Sequence, residues 1–213
     1  MLKLKVLGRI LDSGFVPVIR ATKADEARRI AEACADGGAA VAEITFTVPG
    51  AADIIQDLSQ RDLGNELVIG AGTVLDSETA RIAILSGAQF VVSPALSVDT
   101  ARLCNRYQIP YLPGAATVRE ILDAMESGAE IVKVFPSEIL HPTFIKAVKA
   151  AIPHAALMPT GGVSLENVAE WIKAGCVAVA VGGSLTRSAA TGDFRSITEL
   201  TKRFLEEIGR ARA

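Results

Sequence analysis

The chain has 213 residues, a formal net charge of −2, 50% hydrophobic residues and 22% charged residues. This composition excludes a disordered chain, and the lack of a basic run argues against nucleic-acid binding. Cys34, Cys104 and Cys176 are odd in number and far apart, so we expect buried, unpaired thiols in a reducing compartment. Residues 1–5 lack the apolar core of a signal peptide, and no apolar stretch is long enough to cross a membrane. We therefore expect a cytoplasmic protein.

Eight short apolar runs, separated by longer helical patterns, predict eight strands. The runs are rich in Val and Ile and nearly free of charge, as is typical of parallel strands covered by helices. They span residues 15–20, 39–47, 67–73, 90–94, 110–115, 131–136, 156–162 and 177–185. Eight strand–helix units without a long linker favour one (β/α)8 TIM barrel, an α/β fold, over an open doubly wound sheet. Residues 1–213 would then form a single domain.

The segments between the predicted strands carry signals for the ends of helices. Thr117 and Glu120 have the spacing of a capping box, and Ser77 and Ser164 stand where N-cap residues are expected. A glycine that tolerates positive φ can end a helix, and four glycines recur just before the second, fourth, sixth and eighth predicted strands. They are Gly38, Gly87, Gly128 and Gly175.

Only three charged residues lie in the predicted strands away from their starting ends: Arg20, Glu43 and Lys133. Burial of an ammonium group lowers its pKa, which is one way in which proteins produce nucleophilic, Schiff-base-forming lysines. Lys133 lies in the middle of an apolar strand, so it is the candidate nucleophile. Strand alternation places Glu43 on one face with Val41 and Thr45. If that face points inward, Glu43 meets Lys133 and can transfer protons during imine chemistry.

Each of these charges also has a structural interpretation. Lys133 and Glu43 could be a buried ion pair that only fills the barrel, although such pairs are rarely favourable for stability alone. Arg20 ends its strand and could extend into solvent.

Glycine-rich turns follow the seventh and eighth predicted strands, at residues 160–164 and 182–184. In (β/α)8 enzymes these two loops often bind phosphate through backbone N–H groups, with help from a helix N-terminus. Glycine is also common in tight turns that bind no ligand, so neither glycine-rich turn alone is specific for phosphate. Together, at these two positions, they indicate a phosphate site.

The histidines argue against a metal centre. His141 and His154 are the only two and fall on different loops. No cluster of His, Asp and Glu has the spacing of metal ligands. We therefore expect a metal-independent reaction.

These motifs together resemble the 2-keto-3-deoxy-6-phosphogluconate (KDPG) aldolases, including members that also cleave 4-hydroxy-2-oxoglutarate (KHG). The matching segments occur in order over nearly the whole chain. They are residues 43–49, 70–74, 92–94, 113–114, 133–136, 159–163 and 182–184.

The resemblance implies a role for each matching residue. Lys133 would form the Schiff base and Glu43 would be the general acid/base. Thr73 and Thr160 would hold the substrate carboxylate. The remaining expected contacts are the walls of the site, Pro94 and Phe135, and the phosphate ligands, Gly161, Gly162, Gly183 and Ser184. The family uses no metal or organic cofactor and commonly forms homotrimers.

One position departs from the resemblance. Some members have an arginine four residues after the glutamate, where this chain has Thr47. Arg20 shares its strand face with Val16 and Val18, so it would point into the barrel at the catalytic end if those valines do. We expect Arg20 either to take over substrate binding from the missing arginine or to be a surface residue.

The resemblance implies an aldehyde-lyase that converts KDPG to pyruvate and glyceraldehyde 3-phosphate. The galactonate epimer of KDPG stays open as the substrate. Two other functions on the same fold stay open as well: a phosphosugar isomerase or epimerase, and a non-catalytic phosphometabolite-binding protein. An isomerase has no need of an imine-forming lysine, and a binding protein has no need to hold Lys133 beside Glu43.

Overall fold

The computed structural model describes residues 2–61 and 67–213, in which strands alternate with helices. The strands are β1 (Phe15–Ile19), β2 (Val41–Thr45), β3 (Val68–Gly72), β4 (Val91–Val92), β5 (Tyr111–Leu112), β6 (Gly114–Ala115), β7 (Val132–Val134), β8 (Leu157–Pro159) and β9 (Val179–Val181). The helices are α1 (Leu2–Ser13), α2 (Ala24–Asp36), α3 (Ala51–Gln60), α4 (Ser77–Leu85), α5 (Val98–Tyr107), α6 (Val118–Glu126), α7 (Ser137–Ala151), α8 (Val168–Lys173), α9 (Gly183–Thr186) and α10 (Phe194–Arg212), with a 3-10 helix at Arg187–Thr191.

The paired strands are parallel throughout. One sheet has the order β5-β4-β3-β2-β1-β9 and the other β6-β7-β8. A parallel bridge between Thr160 and Ala180 joins the end of β8 to β9. Only Pro113 separates β5 from β6, and its carbonyl accepts a hydrogen bond from the Lys133 backbone N–H at 2.9 Å. The prediction of an α/β fold is confirmed in the form of parallel strands in a curled sheet.

Alternate residues of each strand belong to two different apolar cores. Val16 and Val18 of β1 and Val41 of β2 lie in a cluster inside the curled sheet. Ala42 and Ile44 lie in the larger cluster between the sheet and the helices. Because strand side chains alternate between faces, the inner face of β2 also carries Glu43.

Helix α1 closes one end of the curled sheet. Its apolar face, formed by Val6, Leu7 and Ile10, is buried in the inner cluster. The carboxyl ends of the strands lie at the opposite end, where the loops that follow them meet. The site is therefore expected there, as in other barrels of alternating strands and helices.

Each of the eight predicted strands is shorter in the structure than in the prediction, and two of them differ further. The fifth, over residues 110–115, is divided at Pro113, because proline has no N–H to donate to the ladder. The eighth, over residues 177–185, ends at Val181, so Gly183 and Ser184 lie in a short helix rather than in a strand. Gly182 turns the chain, and its carbonyl accepts the N–H of Leu185 at 2.9 Å.

The predicted helix ends are partly confirmed. Thr117 and Glu120 form the capping box, and the four recurrent glycines all have positive φ: Gly38, Gly87, Gly128 and Gly175. The N-cap prediction for Ser77 was wrong, because Asp76 caps α4 by accepting the Thr79 N–H at 2.7 Å. The N-cap prediction for Ser164 was wrong as well. Ser164 opens a turn that precedes α8, and its backbone N–H donates to the Asn167 side chain at 2.9 Å.

The three cysteines are buried and form no disulfide in the part of the chain described here. Burial raises the pKa of each thiol to about 12. They are therefore unreactive core residues. Over the same residues, no helix combines the length and the apolar character needed to traverse a bilayer.

Candidate active site

Lys133 is the central residue of the short strand β7, and its side chain is enclosed by the protein. The residue is 2% exposed, and its Nζ lies 5.1 Å from the centroid of the Phe135 ring. Its partners in the ladder are Gly114 on one side and Met158 on the other. The neighbours Val132 and Val134 point to the outer core, so Lys133 points inward with Ile131.

Glu43 is fully buried on the inner face of β2. Both of its carboxylate oxygens lack a hydrogen-bond partner among the described residues. Gly72, on the neighbouring strand β3, leaves the space that this carboxylate occupies: a Cβ at position 72 would lie 2.5 Å from Glu43 Oε1. A buried carboxylate without a partner is costly for folding, so its presence points to a functional role.

The charges of Glu43 and Lys133 act on each other across the inside of the sheet. Burial raises the pKa of Glu43, and the charges of Lys133 and Arg20 partly offset that rise. Burial lowers the pKa of Lys133, with Glu43 opposing this effect and Arg20 adding to it. Both shifts favour uncharged forms, which means an amine that can attack a carbonyl and a carboxyl that can donate a proton.

Arg20 follows the last residue of β1 and is exposed. Its charge nevertheless acts on both Glu43 and Lys133. It forms no ion pair or side-chain hydrogen bond within residues 2–61 and 67–213. Arg20 therefore stands at the mouth of the sheet, close enough to influence the buried pair and accessible to a ligand.

Two threonines flank the buried pair: one follows β3, the neighbour of the Glu43 strand, and the other follows β8, the neighbour of the Lys133 strand. Thr73 follows β3, is half-buried, and has a left-handed backbone with φ 57°. A β-branched residue rarely adopts this conformation, which is strained and is characteristic of functional positions. Thr160 follows β8, is buried, and has a hydroxyl without a hydrogen-bond partner in the described structure. Both hydroxyls are therefore candidates for binding a polar ligand.

The two glycine turns form one wall of a cavity of about 390 Å³, which we call the glycine cavity. Its lining residues are Val18, Arg20, Phe135, Glu138, Thr160, Gly161, Gly162, Val163, Ser164, Ala180, Gly182, Gly183, Ser184 and Arg187. All four predicted phosphate ligands therefore lie together, along with Phe135 and Thr160.

The glycine turns are positioned by hydrogen bonds to neighbouring segments. The Ser184 hydroxyl donates to the Val163 carbonyl at 2.7 Å, which joins the two turns. The Ser137 hydroxyl donates to the Gly161 carbonyl at 2.5 Å. Gly161 has φ 99°, and a Cβ there would collide with the Glu138 carboxylate. Glycine is thus required at this position both by its backbone conformation and by the space available.

Pro94 lies apart from the glycine cavity, on the other side of Phe135. Both residues line a separate cavity of about 320 Å³ that also contains Gly114. Thr47 is exposed beyond the end of β2, and the Thr45 hydroxyl contacts its hydroxyl at 2.8 Å. Thr47 provides no charge to the site.

The two charged residues of the glycine cavity that the sequence analysis missed are Glu138 and Arg187. Glu138 lies in the first turn of α7, and its carboxylate lies against Gly161. Arg187 stands four residues after Gly183, a spacing that places two residues on one face of a helix. That signal was hidden because the eighth strand was predicted to run through residue 185.

No group of three or more His, Cys, Asp and Glu side chains suited to a metal ion occurs among the residues that the structure describes. The arrangement instead offers a buried amine, a buried acid and an adjoining cavity with glycine turns and arginines. Such a set can form an imine with a carbonyl compound, exchange protons with it, and bind an anionic group nearby.

Comparison with known proteins gives the same picture. A family model described as KDPG and KHG aldolase matches residues 8–200. A 2-dehydro-3-deoxy-phosphogluconate aldolase of Treponema pallidum is 37% identical over 199 residues, which cover 91% of this chain and 93% of that protein. A 2-dehydro-3-deoxy-6-phosphogalactonate aldolase of Escherichia coli is 35% identical over 174 residues, covering 81% of this chain and 84% of that protein.

Solved structures agree with the sequence relatives. A KDPG aldolase from Legionella pneumophila, with pyruvate captured as a covalent carbinolamine intermediate, superimposes with a TM-score of 0.83 at 27% identity, covering 91% of this chain and 95% of that chain. A cube-shaped protein cage designed by fusing symmetric oligomeric domains superimposes with a TM-score of 0.86 at 32% identity, covering 93% of this chain and 73% of that chain.

Proposed function

We infer the function of this chain from the fact that it belongs to the KDPG and KHG aldolase family, which matches it over residues 8–200. It is a class I, metal-independent aldolase that cleaves KDPG to pyruvate and glyceraldehyde 3-phosphate and also accepts 4-hydroxy-2-oxoglutarate. The observation that carries this proposal is the enclosed pair of Lys133 and Glu43, whose pKa values are shifted toward a neutral amine and a neutral acid.

Lys133 begins the reaction as a nucleophile. Its neutral amine adds to the C2 carbonyl of the keto acid and gives a carbinolamine. Glu43 then protonates the departing hydroxyl, which leaves as water, and an iminium ion remains on Lys133. A buried acid with a raised pKa suits this step, because burial favours the protonated form that can donate.

The iminium ion draws electrons from the bond to be broken. The Glu43 carboxylate, which gave up its proton in the preceding step, accepts the proton of the C4 hydroxyl. The C3–C4 electron pair then moves toward the imine nitrogen, which leaves an enamine and releases the aldehyde. Glu43 assists protonation of the enamine at C3. Hydrolysis of the resulting imine releases pyruvate and restores the free amine of Lys133.

The ends of the substrate are held by the groups that surround the pair. Thr73 and Thr160 hold the keto acid's carboxylate, and the buried, unpartnered Thr160 hydroxyl supports this role. Arg20 fulfils the role of the arginine that is missing at Thr47, because its charge acts on the reacting pair while its side chain is exposed to ligand. Pro94 and Phe135 form the walls, although Pro94 lines the adjacent cavity rather than the glycine cavity.

The phosphate is held in the glycine cavity by Gly161, Gly162, Gly183 and Ser184. The two turns are joined by the hydrogen bond from Ser184 to Val163, so they offer their backbone N–H groups as one unit. Preorganised donors of this kind bind an anion without further ordering of the chain.

The two sheets form one closed (β/α)8 barrel. The bridge between Thr160 and Ala180 supports closure on one side, and the continuity of β5 and β6 around Pro113 supports it on the other. A closed barrel accounts for the enclosure of Lys133 and Glu43, since their strands belong to different sheets.

The chain assembles as a homotrimer through the outer face of α4 and its surroundings. Large apolar side chains are exposed there: Leu75, Ile82, Leu85 and Val98. Ile82 and Leu85 share one face of α4, and Leu85 is 68% exposed. Leu85→Glu should dissociate the assembly in sedimentation experiments. An unchanged trimer would place the interface elsewhere.

The activity is tested by measuring pyruvate release from KDPG, its galactonate epimer and 4-hydroxy-2-oxoglutarate. We expect turnover of KDPG, no loss with a chelator, and no turnover by Lys133→Met, which keeps the length of the side chain without the amine. Loss of activity with the chelator, or residual turnover by the variant at the wild-type level, would contradict the mechanism.

A further inference from the structure

Two arginines line the glycine cavity: Arg20, which is proposed to bind substrate beside the reacting pair, and Arg187. Arg20 and Arg187 share this cavity with a single carboxylate, that of Glu138. Both also line the adjoining groove of about 910 Å³. Over residues 2–61 and 67–213, Arg187 forms neither an ion pair nor a side-chain hydrogen bond. Its charge is therefore available to a ligand.

The backbone directs Arg187 toward the second glycine turn. Arg187 continues the helical geometry of α9, with φ −55° and ψ −37°, four residues after Gly183. Helical side chains lean toward the preceding turn, so Arg187 faces the space beside Gly183, on the same face of the turn. Gly183 leaves that space open, because no atom lies within 4 Å of the position that a Cβ would take.

The glycine turns need a cation. After the first turn, helix α8 does not begin until Val168, and α9, which follows the second turn, has only four residues. Neither helix therefore supplies a substantial dipole to the turns. The Glu138 carboxylate beside Gly161 adds a like charge. A phosphate monoester carries about −1.5 to −2 at neutral pH, and backbone N–H groups alone would leave that charge uncompensated.

The two arginines act on different parts of the site. Arg20 is among the charges that shift the pKa values of Glu43 and Lys133, whereas Arg187 is not among them. Arg20 therefore acts on the reacting pair, and Arg187 is the other arginine that lines the glycine cavity.

We propose that Arg187 binds the phosphate group of the substrate and determines the preference for phosphorylated over unphosphorylated keto acids. This inference rests on the proposed aldolase function. The shorter substrate, 4-hydroxy-2-oxoglutarate, ends in a carboxylate several bonds short of the position of the phosphorus, so it does not reach Arg187.

The proposal is tested by the kinetics of Arg187→Ala and Arg187→Lys on both substrates. Arg187→Ala should raise KM for KDPG about ten- to hundredfold, the effect of losing a charged hydrogen bond, and should change KM for 4-hydroxy-2-oxoglutarate less than about twofold. Inorganic phosphate should inhibit the variant correspondingly less. Arg187→Lys should lie between wild type and alanine, because lysine keeps the charge without the planar fork. Lys173→Ala removes an exposed charge at the end of α8 and should change neither KM.

Trapping with pyruvate and borohydride separates the failure of this inference from the failure of the proposed function. If wild type and Arg187→Ala both trap pyruvate on Lys133, but KM for KDPG is unchanged or rises equally for both substrates, the role of Arg187 is wrong and the aldolase function stands. If wild type traps no pyruvate, the aldolase function fails and the role of Arg187 falls with it.

Discussion

The space beside the Glu43 carboxylate is set by a glycine, which makes Gly72→Ala a direct test of the position of this acid. Gly72 lies on β3 with an ordinary backbone conformation, so alanine fits the chain itself. A Cβ there would lie 2.5 Å from Glu43 Oε1, 2.9 Å from Cδ and 3.3 Å from Cγ. Because ordinary contact begins at 3.4 Å, the carboxylate oxygen must move by about 0.9 Å.

A displacement of this size is expected to affect catalysis strongly. Misplacement of a catalytic group by about 1 Å can lower the rate about 10²-fold, so we expect kcat to fall by about that factor. Overpacking a core with one extra carbon costs about 1–3 kcal/mol of stability, so the variant should still fold, with a lower unfolding temperature.

The assay is a double-mutant cycle on kcat with Glu43→Gln, accompanied by thermal unfolding of each variant. If the added methyl group acts through Glu43, it should lower kcat much less in the Glu43→Gln background than in wild type. Gly209→Ala is the control: no atom lies near its Cβ position in α10, so it should keep kcat and stabilise the fold by about 0.5–1 kcal/mol. A near-normal kcat for Gly72→Ala, or an equal loss in both backgrounds, would contradict a catalytic role for the position of the Glu43 carboxylate.

Three further predictions follow from the site. Glu43→Gln removes a charge that raises the pKa of Lys133, and Arg20→Gln removes a charge that lowers it. The rising limb of the pH profile for pyruvate trapping should therefore shift to lower pH in Glu43→Gln and to higher pH in Arg20→Gln. Shifts in the same direction would contradict these electrostatic effects. Thr73→Gly relieves a left-handed conformation that costs about 1–3 kcal/mol, so it should keep or raise the unfolding temperature while KM for the keto acid rises; a destabilised variant with normal KM would show that Thr73 is only structural. Ser184→Asp brings a negative charge into the glycine cavity and should raise KM for KDPG far more than KM for 4-hydroxy-2-oxoglutarate. Equal increases for both substrates would show that the phosphate does not bind in this cavity.

Much of the α/β fold followed from the apolar runs and from the glycines that end helices. Both signals are local: burial on two sides removes charge from a strand, and positive φ selects glycine. The division of the fifth strand at Pro113 was also visible in the sequence, since proline cannot donate to a ladder. It was missed because the apolar run continues through this residue.

The central pair of the site was predictable because charges stand out in apolar strands. Lys133 and Glu43 needed only the alternation of strand side chains to be placed on one inner face. The outer part of the site was harder to predict. Arg187 follows residues 182–185, which were predicted to continue the eighth strand, and the turn at Gly182 converts that segment to a helix. Glu138 was missed because it lies in the first turn of α7, where an acidic residue is ordinary.

Thr47 shows another feature of the site that depends on the folded structure. The sequence shows that the family arginine is absent, but it does not show which cation is close to the reacting pair. That depends on the end of β1, where Arg20 is exposed and its charge still acts on Lys133 and Glu43. Proximity between strands that are adjacent only in the folded sheet is a tertiary property.

The proposed function depends on imine formation by Lys133, which can be tested by incubating the protein with pyruvate and borohydride and mapping the modified peptide by mass spectrometry. We expect loss of activity together with a reduced pyruvate adduct on Lys133, and no adduct in Lys133→Met. An adduct on another lysine, or full activity after treatment, would contradict it.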